Sequence, residues 1–226
     1  MSSQPFLPAL PRNLTIIETF DPETNKPKDV TFYLIYPEVL KDAALTIAPD
    51  TLDDAWPFIK RPGVTCYETM KGTQYVPREI LDETLIMEQL SKTPHPNIIR
   101  YLGCRVQRNH ITAICLKRLD QTLAQYAQTP AFSQLDKTKF FAGIKSAIDH
   151  VHSLGLAHND INPGNIMVKN GMPVLIDFGS CAPFGKNMQS LGTDGWYEEL
   201  FWTSEKKHDE YSLAKLHVQE WLHSPM

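Results

Sequence analysis

The sequence predicts an α+β fold in two lobes, a small strand-rich one followed by a mainly helical one. Three observations carry that expectation. Short β-branched and aromatic runs with one long amphipathic stretch occupy the first half of the chain; helical periodicity dominates the second half; and the residues richest in chemistry fall in one short span, 158–179, directly after the longest predicted helix. A site between the lobes is the expected consequence.

Residues 1–30 carry Pro5, Pro8, Pro11, Pro22 and Pro27 between short apolar patches, which favours an irregular arm with one strand at Leu14 to Ile17. Thr31 to Tyr36 reads as a strand from its aromatic and β-branched content, and Ala55 to Lys60 as another that ends on a lysine. Over Pro77 to Leu90, the apolar Ile80, Leu81, Leu85, Ile86 and Leu90 recur at helical spacing, with Arg78, Glu79, Asp82 and Glu88 on other faces. Pro94-His95-Pro96-Asn97 ends that helix, and Ile98 to Val106 and His110 to Leu116 then read as a hairpin around Arg108-Asn109. The lobe boundary falls near Lys117 to Asp120, dividing the chain into the arm 1–30, a first lobe 31–118 and a second lobe 119–226. Leu119 to Gln128 reads as a short helix. Ser133 to Leu154 reads as a long one that buries Phe140, Phe141, Ile144, Ala147, Ile148 and Val151, with Gly155 as its stop. Pro173-Val174-Leu175-Ile176 reads as a buried strand, and Asp209 to Leu222 as a last helix before Pro225.

Composition bounds the partners. A formal net charge of −4 gives no basic excess, so neither nucleic acid nor an anionic membrane is expected to bind the bulk surface. Hydrophobic residues at 42% are ordinary for a folded domain. Cys66, Cys104, Cys115 and Cys181 lack C-x-x-C spacing and read as reduced thiols. Prolines interrupt the N-terminus before any signal-length apolar run, and no stretch reaches the roughly 20 apolar residues of a membrane span. A cytoplasmic chain is expected, the nucleus being left open; nothing indicates an oligomeric state. His150 and His152 share the long helix at a spacing that turns them to different faces, so they read as polar residues rather than metal ligands.

The chemistry concentrates in His158-Asn159-Asp160, then Asn165, then Ile176-Asp177-Phe178-Gly179. Asp160 and Asn165 fit on one loop, and the strand before Asp177 delivers its carboxylate beside them. That is the layout of a phosphoryl-transfer site. With these motifs, with His95-Pro96-Asn97-Ile98 and with Gly192-Thr193-Asp194-Gly195-Trp196, the chain resembles the eukaryotic protein kinase superfamily from about Pro57 to about Leu216.

The resemblance implies a protein-kinase-like fold with a small β-rich N-lobe and a truncated, mainly helical C-lobe. It implies transfer of the γ-phosphoryl group of Mg-ATP to serine or threonine hydroxyls of a protein substrate. Asp160 would be the catalytic base. Lys60 would grip the α- and β-phosphates, and Glu83, chosen over Glu79 and Glu88, would pair with it. Asn165 and Asp177 would supply hard oxygen ligands to Mg²⁺, with Gly179 completing the nucleotide-site motif. His158 would be structural, and Asp209 would brace the catalytic loop.

Several positions depart from the family pattern. Asn159 stands where an arginine commonly pairs with a phosphorylated loop, so regulation of that type is not expected, although Ser180, Ser190 and Thr193 are present as hydroxyls. Asn162 stands where serine/threonine kinases carry lysine. No glycine precedes Gly63, so the glycine-rich phosphate cover is missing and is expected from residues 36–54 instead. Tyr197-Glu198-Glu199 replaces the usual Ala-Pro-Glu ending, and the family's remaining helices, beyond the one read at Asp209 to Leu222, are expected to be missing. These departures keep two alternatives: a kinase-like binding module without turnover, and a small-molecule phosphotransferase resembling aminoglycoside and choline kinases, which share the His-Asn-Asp form. The His95 to Ile98 segment and the Gly192 to Trp196 segment favour a protein substrate.

Overall fold

A computed structural model describes residues 14–20, 27–34, 45–48, 57–61, 75–107, 110–188 and 192–218. Strand β1 (Leu14–Phe20) pairs antiparallel with β2 (Pro27–Leu34), Leu14 opposite Leu34 and Glu18 opposite Val30. The first strand runs three residues beyond Ile17, and the second begins at Pro27 rather than Thr31, so the pair crosses residue 30. Proline is tolerated there because it sits at the first position of a strand.

The next sheet is antiparallel, ordered β3-β5-β4 from β3 (Pro57–Lys60), β4 (Tyr101–Gln107) and β5 (His110–Lys117). Lys60 lies opposite Ile114, which fixes the end of β3 over the middle of the sheet. Residues 55 and 56 of the predicted third strand lie outside the described residues. Ile98 and Ile99, expected to begin β4, turn to the second lobe: Ile99 N donates to Leu175 O at 2.9 Å and Leu175 N to Asn97 O at 2.8 Å. These two bonds stitch the lobes together.

Helix α1 (Tyr75–Ser91) buries Ile80, Thr84, Met87 and Leu90, an i, i+4, i+7, i+10 stripe, and packs against β4 and β5. Two expectations for it are corrected. Leu85 is solvent-exposed, and Glu88 is buried because Thr46 and the Tyr101 hydroxyl both donate to its carboxylate. Residues 45–48 run along the outer edge of β4, where Cys104 N donates to Thr46 O at 2.8 Å and Ala48 N to Cys104 O at 2.9 Å. Gly103 makes that approach possible, since a Cβ on it would stand 2.7 Å from Ala48 N and Thr46 O.

The second lobe starts with β6 (Gln121–Thr122) and the single-turn α2 (Leu123–Tyr126). The helix expected from Leu119 is therefore wrong over its first four residues. Gln121 and Thr122 pair with Val168 and Met167, and Thr122 then caps α2 by accepting from Gln125 N. Likewise the long helix does not begin at Ser133. A 3₁₀ turn covers Pro130–Gln134, and α3 (Lys137–Ser153) starts after Asp136, whose carboxylate accepts Lys139 N at 2.9 Å. Gly155, at φ +76°, ends it as expected.

Strands β7 (Leu156–Ala157) and β10 (Ala182–Pro183) pair with each other, while β8 (Ile166–Lys169) and β9 (Met172–Leu175) form a hairpin beside β6. Helix α4 (Lys206–Val218) begins three residues earlier than predicted, and 219–226 lie outside the described residues. One apolar cluster runs through both lobes, from Ile80 and Met87 through Ile114 to Phe140, Ile148, Phe178 and Leu216. No helix of the described residues is long and apolar enough to cross a membrane.

Candidate active site

Lys60 leaves the end of β3 and reaches two carboxylates at once, Glu83 Oε1 at 2.7 Å and Asp177 Oδ1 at 2.8 Å. Glu83 sits on α1 with its side chain 4% exposed; Glu79 and Glu88 do not make this pair, Glu88 being committed to Thr46 and Tyr101. Burial works against the Lys60 ammonium, but the two carboxylates outweigh it and hold its pKa above the ordinary lysine value. Burial also resists the Asp177 anion; Lys60 and the Gly179 N–H outweigh it and hold the carboxyl below its usual range. Glu83 goes the other way, pushed up by burial more than Lys60 pulls it down. Gly179 lies against this trio: a side chain there would begin 3.3 Å from Asp177 Oδ1 and 3.8 Å from Lys60 Nζ.

Asp160 is held from three sides. Its Oδ1 accepts Thr193 N at 2.7 Å and Asn162 Nδ2 at 3.0 Å, and its Oδ2 accepts Asn165 Nδ2 at 2.8 Å. Asn165 also donates to Asp160 O at 3.0 Å, so its amide nitrogen is spent on Asp160 and its oxygen is turned away from it. Backbone bonding ties this loop to the strand that delivers Asp177, through Ile176 N to Asn165 O at 2.9 Å. His158 strengthens the join. Its Nε2 faces the Ile176 carbonyl at 3.0 Å, which only an N–H can satisfy, and its Nδ1 accepts Asp160 N at 3.3 Å. Phe178, fully buried, packs edge-on against the same imidazole at 4.9 Å.

Two functional-loop residues adopt left-handed backbone, Asn159 at φ 63° and Asp177 at φ 60°, a conformation that a non-glycine residue holds only when its surroundings impose it. For Asn159 the imposing group is Asp209. Its fully buried carboxylate accepts His158 N at 2.8 Å, Asn159 N at 2.7 Å and His152 Nε2 at 2.9 Å. His150 lies on another face of α3, stacked on His95 at 5.1 Å.

The two asparagines that depart from the family pattern are both structural anchors, which their side-chain chemistry did not announce. Asn159 Nδ2 faces Ala157 O at 2.9 Å, Ser180 O at 3.0 Å and Ser204 Oγ at 3.0 Å, so two hydrogens serve three acceptors. Its buried Oδ1 has no hydrogen-bond partner among the described residues; reversing the amide would set that oxygen against two carbonyls, so the orientation is fixed by the network. Asn162 links Asp160 to the Thr193 hydroxyl at 3.0 Å and accepts Gly164 N at 2.8 Å. Sequence reasoning also passed over Phe58. It lies two residues before Lys60, on the same face of β3, and is 48% exposed; strand alternation in Pro57-Phe58-Ile59-Lys60 was the available signal.

Glu198 and Glu199 are exposed, and neither forms an ion pair among the described residues. Cys104, Cys115 and Cys181 are buried; Cys66 and Ser190 lie outside the described residues, as does most of 36–54.

A two-lobed fold with a lysine bridging a helix glutamate and a loop aspartate, beside a braced Asp-Asn loop, is the arrangement of kinase domains. The protein kinase domain family matches residues 64–212, about two thirds of the chain, and the chain belongs to that family. The match begins four residues after Lys60, whose place in the site therefore rests on its contacts. Among curated proteins, the chain is 38% identical over 122 residues to the serine/threonine-protein kinase/endoribonuclease IRE1 of Hypocrea jecorina, covering 45% of this chain and 10% of that protein. It is 30% identical over 132 residues to the serine/threonine-protein kinase Tao of Drosophila melanogaster, covering 57% and 12%. It is 32% identical over 117 residues to the serine/threonine-protein kinase CHK1 of Saccharomyces cerevisiae, covering 50% and 22%. The chain thus spans between about a tenth and a quarter of the length of these relatives.

Proposed function

We propose that this protein transfers the γ-phosphoryl group of Mg-ATP to serine or threonine hydroxyls of protein substrates. The observation that carries the reading is Lys60 bonded to Glu83 and Asp177 together, because this pairing and a correctly placed aspartate are the joint requirement of kinase chemistry. Lys60 holds the α- and β-phosphates. Asp160, fixed by Thr193, Asn162 and Asn165, accepts the hydrogen bond of the attacking hydroxyl and orients it. The donor set fits Mg²⁺: the Asn165 amide oxygen and the Asp177 carboxylate are hard oxygen ligands that would hold it, and the bound ion would neutralise charge on the phosphates. The relatives, all protein kinases by name, support a protein acceptor over a small molecule.

Control by a phosphorylated loop is not part of this reading. Asn159 joins the catalytic loop to Ser180 and Ser204 through uncharged bonds that no phosphate needs to complete. A cytoplasmic site of action is part of it, supported by the buried thiols of Cys104 and Cys181, which form no disulfide among the described residues. A second reading, a kinase-like binding module, is favoured by the absence of any glycine before Gly63 and by the bulk of Phe58 beside Lys60.

The deciding experiment measures thermal stabilisation by ATP with Mg²⁺ and then transfer of radiolabelled phosphate to protein. Asp160→Asn is expected to keep the nucleotide shift and lose transfer by about 100-fold or more. Absence of any nucleotide shift in the wild type would sink the enzyme reading. A shift without transfer in the wild type would establish the module.

A further inference from the structure

Between the end of α1, the start of β4, the end of β5 and strand β8 lies a cavity of about 590 Å³ that none of the cleft residues lines. Three cations converge on it from separate elements: Arg100 just before β4, Lys117 at the end of β5, and Lys169 at the end of β8. Its floor is apolar, formed by Met87, Leu90 and Val174. No carboxylate lines it, and none of the three cations enters an ion pair among the described residues.

The backbone fixes this gathering. Lys117 N donates to Arg100 O at 2.9 Å, and Lys169 is paired to Met172 within the β8–β9 hairpin, so the three side chains originate on hydrogen-bonded strand ends. Like charges held this close repel, and their mutual effect is visible: the Lys169 ammonium above all, then a small loss of hydration and Arg100, hold Lys117 below the ordinary lysine value. Nothing in the described fold offsets that repulsion. An anion in the cavity would.

The ligand chemistry follows from charge and shape. Three cations around one concavity match a dianion better than a single carboxylate, and a guanidinium with two ammoniums supplies donors for three phosphate oxygens. The volume falls within the range of small-molecule sites and exceeds what a bare inorganic ion fills, while the apolar floor suits a carbon body. Three cations gathered at one concavity, on a chain of net charge −4, are unlike the extended basic stripe that tracks nucleic acid. We propose that this cavity binds an organic phosphate ester, the phosphate held by Arg100, Lys117 and Lys169 and the carbon body resting on Met87, Leu90 and Val174.

Titration calorimetry on the whole chain at low salt tests it, using inorganic phosphate, phenyl phosphate, and a phosphoserine and a phosphotyrosine peptide with their unphosphorylated forms. The expected result is saturable binding of phenyl phosphate, tighter than inorganic phosphate. The double variant Arg100→Gln/Lys169→Gln should weaken it by about tenfold or more, while Lys169→Arg keeps it. Thermal stabilisation by Mg-ATP should be the same in all three proteins, since these positions lie outside the cleft. A phosphopeptide that binds tighter than phenyl phosphate identifies a phosphorylated protein segment as the source; the reverse order identifies a free ester. Equal affinity in wild type and double variant, or no saturable binding of any organic phosphate, overturns the proposal.

Discussion

Replacing Asp209 with asparagine tests how the catalytic loop is held. The carboxylate is fully buried and accepts from three donors, His158 N at 2.8 Å, Asn159 N at 2.7 Å and His152 Nε2 at 2.9 Å. The amide in Asp209→Asn would keep one oxygen and present an N–H where the other oxygen stood, so one buried backbone N–H would face another donor. An unpaired buried donor costs about 1–3 kcal/mol, and losing the charge weakens the remaining bonds from the roughly 1.5–3 kcal/mol of charged acceptors to about 1 kcal/mol each. The sum is on the order of 3–5 kcal/mol, a large share of the roughly 5–15 kcal/mol that holds a typical domain together. Urea unfolding followed by circular dichroism should show the midpoint fall at unchanged slope. Because Asn159 would lose the bond that holds its φ of 63°, phosphoryl transfer should also fall in whatever fraction remains folded. A variant within about 1 kcal/mol of wild type would refute the reasoning, since it would mean the three donors find other partners at no loss.

Two further outcomes follow from the geometry. In Gly143→Ala the new Cβ would stand 2.8 Å from Pro173 Cγ and 3.2 Å from Asn97 Nδ2, so α3 must move off β9; the expected destabilisation is about 1–3 kcal/mol in the same unfolding assay, and an unchanged midpoint would contradict it. Lys60→Met tests the ion pair through pH. The folded-state pKa of Lys60 lies above the ordinary 10.5, so its stabilisation is complete below that value and is lost as pH rises through the folded pKa. The stability gap between wild type and Lys60→Met should therefore hold steady to about pH 10 and narrow above it, whereas a gap that stays constant into stronger alkali would show that Lys60 gains nothing from Glu83 and Asp177.

Helix α1 was legible because the apolar Ile80, Leu81, Ile86 and Leu90 recur at helical spacing and are all buried, and the strand before Asp177 was legible as a continuous apolar run. The misread stretch at Leu119 illustrates what local pattern misses. Gln121 and Thr122 become a strand only through pairing with Val168 and Met167, more than forty residues away. The start of α3 was misplaced because the apolar spacing continues through Phe132 and Leu135, while the decisive signal was the Asp136 cap. In the candidate site, Lys60, Glu83, Asp160, Asn165 and Asp177 were named from the family resemblance, and the fold brings Lys60 to Glu83 and Asp177, and Asn165 to Asp160. The anchoring by Asn159 and Asn162 could not, because it depends on a left-handed backbone and on partners such as Ser204 and Thr193 that arrive from distant segments. Glu88 was misassigned to the surface for the same reason: its partner Thr46 comes from outside the helix.

The short run at 45–48 has a practical consequence for anyone preparing this protein. By bonding to both backbone groups of Cys104 it occupies the open side of β4, which would otherwise be a template for strands of other molecules. A fragment trimmed to the family match at residue 64 would discard Lys60, all of β3 and this covering run together. Such a fragment should precipitate as well as fail to transfer phosphate, and its silence in an assay would say nothing about the intact chain.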